Sequence, residues 1–234
     1  MRLMRVASDV GGTFTDSVAY DPTTGRLTVA KVSTTPENRA MGTIAGLRRA
    51  LAMQGRSGAD VGYVGHGMTT ATNAVIQRTG ALTAFVTNDG FRDILLIGRQ
   101  NRPSLYDLSV VRNEQIVPRE RCYTVPGRMD AAGREIRPLD EAALREVAGR
   151  LREDRVEAVA VTFLHAYANP AHERRAAAVL RDELPGVVVC ISTDVLSEFR
   201  EFERASVTVL NAFLVPLMDR YLSSLVRLLE SKEE

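Results

Sequence analysis

The tightest constraint on this chain lies near its start. Residues 6–16 read Val-Ala-Ser-Asp-Val-Gly-Gly-Thr-Phe-Thr-Asp. An apolar run ends in an acid, Asp9, and two glycines, Gly11 and Gly12, follow. Thr13 and Thr15 bracket Phe14, and a second acid, Asp16, precedes a return to apolar character at Val18, Ala19 and Tyr20. Two strands joined by a Gly-Gly turn account for this pattern. Glycines permit positive φ and let a ligand approach the backbone closely. Successive amide N–H groups in such a turn form an anion-binding concavity. Alternate strand residues share a face, so Thr13 and Thr15 are expected to add hydroxyls on one side. Asp9 and Asp16 flank the turn with hard oxygen ligands, and Mg²⁺ is ordinarily held by carboxylate together with phosphate oxygens and water. Two readings stand at this level: a phosphate cradle with a metal-side acid, and an ordinary hairpin with polar caps.

Beyond the hairpin, residues 21–26 form a turn by composition, and residues 27–33 alternate as a third strand. Pro36 is expected in the first turn of a helix that carries Ile44, Leu47 and Leu51 at helical spacing. Residues 61–67 read as a short strand ending in Gly65-His66-Gly67. Thr69, Thr70, Thr72 and Asn73 then lead into a helix that Gly80 is expected to end. Hydroxyls and Asn at such a place are capping residues first, and they also sit where helix N-termini bind anions. Capping accounts for one of the four more easily than for all. His66 stands beside this segment as a further candidate.

A strand over 82–87 is followed by Phe91-Arg92-Asp93, the apolar residues 94–97, and Gly98-Arg99-Gln100-Asn101-Arg102-Pro103. Arginines around Asn and Gln can orient a carboxylate or phosphate; a solvated polar loop is the alternative, and for Gln100 and Arg102 taken singly the simpler one. Residues 104–137 are loop-rich, with a strand over 121–125 and a turn over 130–134. A helix over about 140–154 turns Leu144, Val147, Ala148 and Leu151 inward. Residues 156–164 are almost continuously apolar, as in a buried parallel strand. A helix over 171–184 and a strand over 187–191 complete a second α/β unit. Residues 198–204 read as a helix surface with local ion pairs, or, through Glu201 and Glu203, as acids near a phosphate site. An apolar stripe runs from Ser206 to Leu228, which Pro216 is expected to kink or split.

Composition narrows the function classes. Thirty basic and 29 acidic residues leave a net charge of +1, so no bulk field points to nucleic acid or membrane. Two cysteines, Cys122 and Cys190, make neither a disulfide framework nor a zinc site. His165 and His172 are expected to satisfy loop backbone. The N-terminus shows no secretory pattern and no apolar run reaches the length of a membrane span, so a cytoplasmic setting is expected. A chain of 234 residues can bury a core as one large domain or two small ones.

The stretch from Asp9 to Asp16 resembles the first phosphate motif of the actin and hexokinase superfamily of ATPases. Its wording resembles the hydantoinase A and 5-oxoprolinase family, which includes acetone and acetophenone carboxylase subunits. Gly67-Met68-Thr69-Thr70-Ala71-Thr72-Asn73-Ala74 is similar to a second family signature. So are the Gly-Phe-Arg-Asp and Gly-Arg-Gln-Asn-Arg-Pro stretches, and Arg200-Glu201-Phe202-Glu203-Arg204, with Phe202 where Tyr is common. The resemblance covers nearly the whole chain. It implies an α/β fold: a ribonuclease-H-like lobe of actin-like ATPase type with a three-strand antiparallel start, parallel strands, flanking helices and a second α/β unit. Its implied domains are a phosphate-binding subdomain over 1–98, a second α/β subdomain over 99–200, and a C-terminal helix over 201–234 leading to a second lobe.

The same resemblance implies ATP and Mg²⁺ as cofactors. Asp9 becomes the metal-side acid and, with Asp16, the catalytic pair. Gly11, Gly12, Thr13, Thr15, Thr69, Thr70 and Asn73 become cofactor-binding residues. His66, Arg92, Arg99 and Asn101 point toward substrate. The complete enzyme is expected to open a cyclic amide such as 5-oxoproline or a hydantoin, activating a substrate oxygen by phosphorylation. The alternative is a non-catalytic or split subunit of an ATP-dependent ketone carboxylase complex. A small-molecule kinase of the same superfamily is disfavoured by the later signatures. No second Asp-x-Gly-Gly pattern follows Asp16. The second phosphate turn and the hydantoinase A part are therefore expected from a second lobe or partner subunit. The chain alone is expected to be inactive, and the assembly oligomeric.

Overall fold

The structure is a computed structural model that describes residues 3–35, 38–101, 104, 106, 107, 109 and 114–230. By its internal contacts the chain divides into two units, one of residues up to Thr79 together with those from Leu217 onward, and one of Gly80–Pro216.

The first unit is built on a four-stranded sheet. Strands β1 (Met4–Val10), β2 (Phe14–Tyr20) and β3 (Leu27–Ser33) form the expected antiparallel meander, and β4 (Val61–Met68) lies parallel to β1, giving the order β3-β2-β1-β4. Period-two alternation buries Met4, Val6, Ala19 and Ala30 on one face, against Leu47, Ala50 and Leu51 of helix α1 (Arg39–Ala52). Burying a leucine of this kind stabilises by about 1.5–3 kcal/mol. Helix α1 starts at Asn38, whose side chain accepts the Ala40 N–H at 3.2 Å; the expected first-turn Pro36 lies outside the described residues. The helix lies so close to β2 that a Cβ at Gly46 would stand 2.3 Å from the Ser17 hydroxyl. Helix α2 (Thr70–Gln77) follows β4. It ends earlier than expected: Arg78, with φ 55°, takes the left-handed capping conformation. Gly80 has a different reason to be glycine, since a Cβ there would lie 2.4 Å from the Phe213 ring.

The second unit carries a four-stranded parallel sheet in the order β10-β9-β5-β6, made of β5 (Thr83–Asn88), β6 (Cys122–Val125), β9 (Ala158–Val161) and β10 (Val188–Ile191). Between them come the short helix α3 (Ile94–Ile97) and a two-stranded hairpin, β7 (Arg128–Met129) with β8 (Glu135–Arg137). Helices α4 (Glu141–Glu153) and α5 (Ala171–Glu183) pack on one face through Leu144, Leu151, Ala177 and Leu180. Helix α6 (Ser192–Val195) is a single turn after β10. Helix α7 (Glu201–Glu230) covers the other face through Ala205, Val209 and Ala212. Both cysteines are buried and free.

Two expectations about the strands are corrected. All six residues of β5 are buried, so this strand needs cover on both faces and joins the parallel sheet rather than the first one. By internal contacts the division falls after Thr79, where the expected subdomain bounds were 98 and 200, and α7 contributes residues to both units. The strand expected over 156–164 is only Ala158–Val161 long, because the N–H groups of Phe163 and Leu164 turn to the side chains of Glu173 and Asn88. Helix α7 runs through Pro216 without ending there, and by length and composition it is long and apolar enough to cross a membrane. Its buried residues include Ala205, Val209 and Ala212 in one core cluster and Tyr221 and Leu225 in another.

Candidate functional site

The β1–β2 hairpin turns at Gly11-Gly12-Thr13, where the Gly11 N–H donates to the Phe14 carbonyl at 3.0 Å. Neither glycine takes a positive φ, contrary to expectation. Gly11 is needed instead because a Cβ would stand 2.9 Å from the Phe14 carbonyl oxygen. The expected sharing of one side by Thr13 and Thr15 also fails. Thr13 is exposed in the turn, whereas Thr15 sits opposite Val10 on the packed face with no exposure. The Thr34 hydroxyl donates to the Gly11 carbonyl at 3.1 Å. It has a single proton to give, so Thr15 is the donor in the 3.1 Å hydroxyl pair it makes with Thr34. Thr34 also donates its N–H to the Thr13 carbonyl. Sequence reasoning missed Thr34, and the available signal was the hydroxyl run Ser33-Thr34-Thr35 at the end of the third strand.

Asp9 and Asp16 are direct cross-strand partners and share the face opposite α1. Like charges in that relation repel. Lys31, the register partner of Asp16, answers one of them at 3.4 Å. Asp9 makes no ion pair among the described residues. Its neighbour on the other side is Gly67, where a Cβ would come within 3.4 Å of Asp9 Oδ1. The missing side chain leaves that flank of the carboxylate open. Among the described residues no group of three or more His, Cys, Asp or Glu could hold a metal by itself.

Helix α2 brings its N-terminus to the same turn. The Thr69 N–H donates to the Val10 carbonyl at 3.2 Å. Thr69 is the N-cap but its side chain makes no capping bond; its hydroxyl accepts from Asn73 Nδ2 at 3.3 Å. That same Nδ2 lies 3.7 Å from where a Gly12 Cβ would be. Gly12, Thr69 and Asn73 thus converge at the end of β1, while Thr70 is buried. His66 lies between two hydroxyls, with Nδ1 2.8 Å from Ser8 Oγ and Nε2 2.8 Å from the Tyr221 hydroxyl. Burial lowers its pKa below the usual 6.5, against the opposing charge of Asp9.

The remaining candidates belong to the second unit. Arg92 donates to the Arg119 carbonyl. Arg99 pairs with Glu203 at 2.6 Å, and that hydrogen bond holds the Glu203 carboxyl below its ordinary pKa. Glu201 pairs with Arg204 one turn along. Asn101 is exposed, and Arg102 lies outside the described residues. His172 bonds Glu135 at 2.8 Å and His165 lies 3.3 Å from the Tyr167 hydroxyl, so both satisfy local partners.

A mixed α/β architecture carries a glycine turn, an acid with no ion pair among the described residues and a helix N-terminus at one sheet end. Residues 5–184 match the hydantoinase/oxoprolinase N-terminal region, and the chain belongs to that family. It is 36% identical over 232 residues to caprolactamase subunit alpha from Pseudomonas jessenii, covering 97% of this chain and 33% of that one. It is 30% identical to the 5-oxoprolinase of Saccharomyces cerevisiae, over 95% of this chain and 20% of that one. Among solved structures, nucleotide-free acetone carboxylase superposes with a TM-score of 0.88 at 27% identity, covering 98% of this chain and 35% of that chain. The ATP-dependent caprolactamase of Pseudomonas jessenii superposes with a TM-score of 0.86 at 36% identity, over 97% of this chain and 33% of that one. The chain thus spans about a third of the length of these caprolactamase and carboxylase relatives.

Proposed function

We propose that this chain is the phosphate-binding N-terminal part of an ATP-dependent enzyme that opens a cyclic amide. The supporting observation is the convergence of Gly12, Thr69 and Asn73 at the end of β1, beside Asp9, the one acid of the hairpin without an ion pair among the described residues. The likeness to an ATP-dependent caprolactamase at 36% identity, against 27% for acetone carboxylase, favours a cyclic amide over a ketone. Mg-ATP supplies the phosphoryl group that activates the substrate oxygen. The chain's own part is to bind and orient. Asp9 holds the cation, the Gly11–Gly12 backbone and Thr13 face the phosphates, and the Asn73 amide, held by Thr69, adds a donor from the helix N-terminus. Asp16, committed to Lys31, sets the field beside Asp9. Thr15 and Thr34 secure the turn from beneath. The second phosphate turn and the substrate pocket come from the part of the enzyme that the relatives carry beyond the matched third.

Calorimetric titration of the chain with Mg-ATP tests the nucleotide reading. Binding is expected for the wild type, abolished by Asp9→Ala and weakened about tenfold or more by Asn73→Ala, the loss of one charge-assisted donor. No heat with the wild type sinks it. ADP release by the complete enzyme with 5-oxoproline, hydantoin, caprolactam, or acetone with bicarbonate separates the amide reading from the ketone one.

A further inference from the structure

The first unit encloses a chain of polar groups beneath its sheet. Ser8 shares the α1 face of β1 with Met4 and Val6, and Ser8, Thr43 and Tyr221 are all buried. Ser8 Oγ lies 2.8 Å from His66 Nδ1, and His66 Nε2 lies 2.8 Å from the Tyr221 hydroxyl. That hydroxyl lies 3.4 Å from Thr43 Oγ1, and Thr43 donates to the Arg39 carbonyl at 3.1 Å. All five residues belong to the first unit, and their contacts are made inside it, whatever adjoins its surface.

The polarity of this chain follows from its protons. A hydroxyl has one to give, and a neutral imidazole carries one N–H. Burial favours the neutral ring of His66. Thr43 gives its proton to a carbonyl, which cannot donate, so the chain runs toward Arg39. Thr43 therefore accepts from Tyr221, Tyr221 accepts from His66 Nε2–H, and His66 Nδ1 accepts from Ser8. The opposite polarity leaves the Tyr221–Thr43 contact without a proton. It also leaves the Ser8 proton without an acceptor among the described residues.

We propose that His66, held as its Nε2–H tautomer by this one-way chain, is a positioning residue for the joined ends of β1 and β4. In β4 it stands between Gly65 and Gly67, so it is the one side chain that can anchor this end of the strand before Met68. Glycines on both sides leave the backbone there free to shift. Ser8 and His66 are register partners, and the next pair is Asp9 and Gly67. The pair after that, Val10 and Met68, leads to the Gly11 turn and to Thr69, whose N–H donates to the Val10 carbonyl at 3.2 Å. The Ser8–His66 bond thus clips β1 to β4 one residue before Asp9, and Tyr221, packed with Ala40 and Leu225, holds the clip from behind. Any effect on nucleotide rests on the reading proposed above; the tautomer and the clip do not.

The test is nitrogen–proton NMR of the isotope-labelled chain at about pH 8, above the ordinary imidazole value, with circular dichroism to confirm that each variant is folded. One His66 ring proton is expected, on Nε2 and protected from solvent exchange. Tyr221→Phe removes its acceptor and is expected to lose that protection, whereas Ser8→Ala is expected to keep it. A ring proton on Nδ1, or one that Ser8→Ala loses and Tyr221→Phe keeps, overturns the proposal. The positioning role is read from backbone hydrogen exchange. Both variants are expected to speed exchange of the Thr69 N–H about fivefold to tenfold, as for the loss of one buried hydrogen bond. The Thr162 N–H, bonded to the Val86 carbonyl in the second unit, is expected to be unchanged. Thr69 exchange that neither variant alters overturns the role, and so does a rise shared equally by Thr162. In calorimetry both variants are expected to bind Mg-ATP about tenfold more weakly than the wild type. A wild type that binds no Mg-ATP overturns the nucleotide reading alone, because the ring proton and the exchange rates are measured without nucleotide.

Discussion

At the residue scale, the glycine turn was legible and the placing of its side chains was not fully so. Asp9, Gly11, Gly12 and Asp16 stand out in the sequence because eight consecutive residues of that kind are rare in an ordinary hairpin. The inward turn of Thr15 was not legible. It follows from the pairing of Thr15 with Val10 on the α1 face, and from the Phe14–Ser33 register that carries Thr34 under the turn. His66 shows the same gap: it reads as a site residue beside Gly67, and the structure gives it two hydroxyl partners. Its pKa is lowered chiefly by burial. The folded state thus prefers the neutral ring. The stability this contributes is complete above the ordinary value of 6.5 and is lost as pH falls through the lowered folded pKa. His66→Gln is expected to remove that part of the pH dependence. Urea midpoints measured on both sides of pH 6.5 check it, and an unchanged acid slope in the variant would show that another group is responsible.

At the element scale, periodicity placed most helices and strands. Helix α4 is the clearest case: Leu144, Val147, Ala148 and Leu151 all face the core, and Asp140 caps it by accepting the Ala143 N–H at 3.0 Å. Asp140→Ala is expected to cost about 1 kcal/mol, read as a lower denaturant midpoint with unchanged slope; a loss under a few tenths would mean that the cap is replaced by water. Helix α2 behaves differently. Its N-cap Thr69 makes no side-chain capping bond and its hydroxyl is held by Asn73. Residues that sequence alone reads as capping are thus available at the Gly12 turn. The short β9 was misjudged because apolar character continues past Val161 while the backbone partners do not: Glu173 and Asn88 side chains take the next N–H groups.

At the scale of the whole molecule, the second unit depends on two buried charges that local patterns do not reveal. Glu173 accepts four bonds, from the N–H groups of Phe163 and Thr193 and the hydroxyls of Ser192 and Thr193. Arg204, fully buried, donates to the Phe163 carbonyl and to Glu201 and lies over the Tyr167 ring at 5.5 Å. Burial pushes the Glu173 carboxyl up and the Arg204 guanidinium down, each opposed by the other's charge. Arg204→Ala removes the bonds to the Phe163 carbonyl and Glu201 and the positive charge that opposes the burial of Glu173, and is expected to destabilise by about 3–5 kcal/mol; a chemical-denaturation loss below about 1 kcal/mol would show that the buried guanidinium contributes little. In the sequence both residues look like members of solvated helix faces, and only the packing of α5 and α7 encloses them. The same division holds throughout. By itself the sequence determined the alternating strands, the glycine turn, the amphipathic helices and, through its signatures, the family. The tertiary structure decided which sheet β5 joins, which acid of the hairpin is left unpaired, and where Thr15 and Arg204 point. The first set rests on interactions between residues near in sequence. The second rests on register and enclosure between segments far apart, which no local pattern encodes.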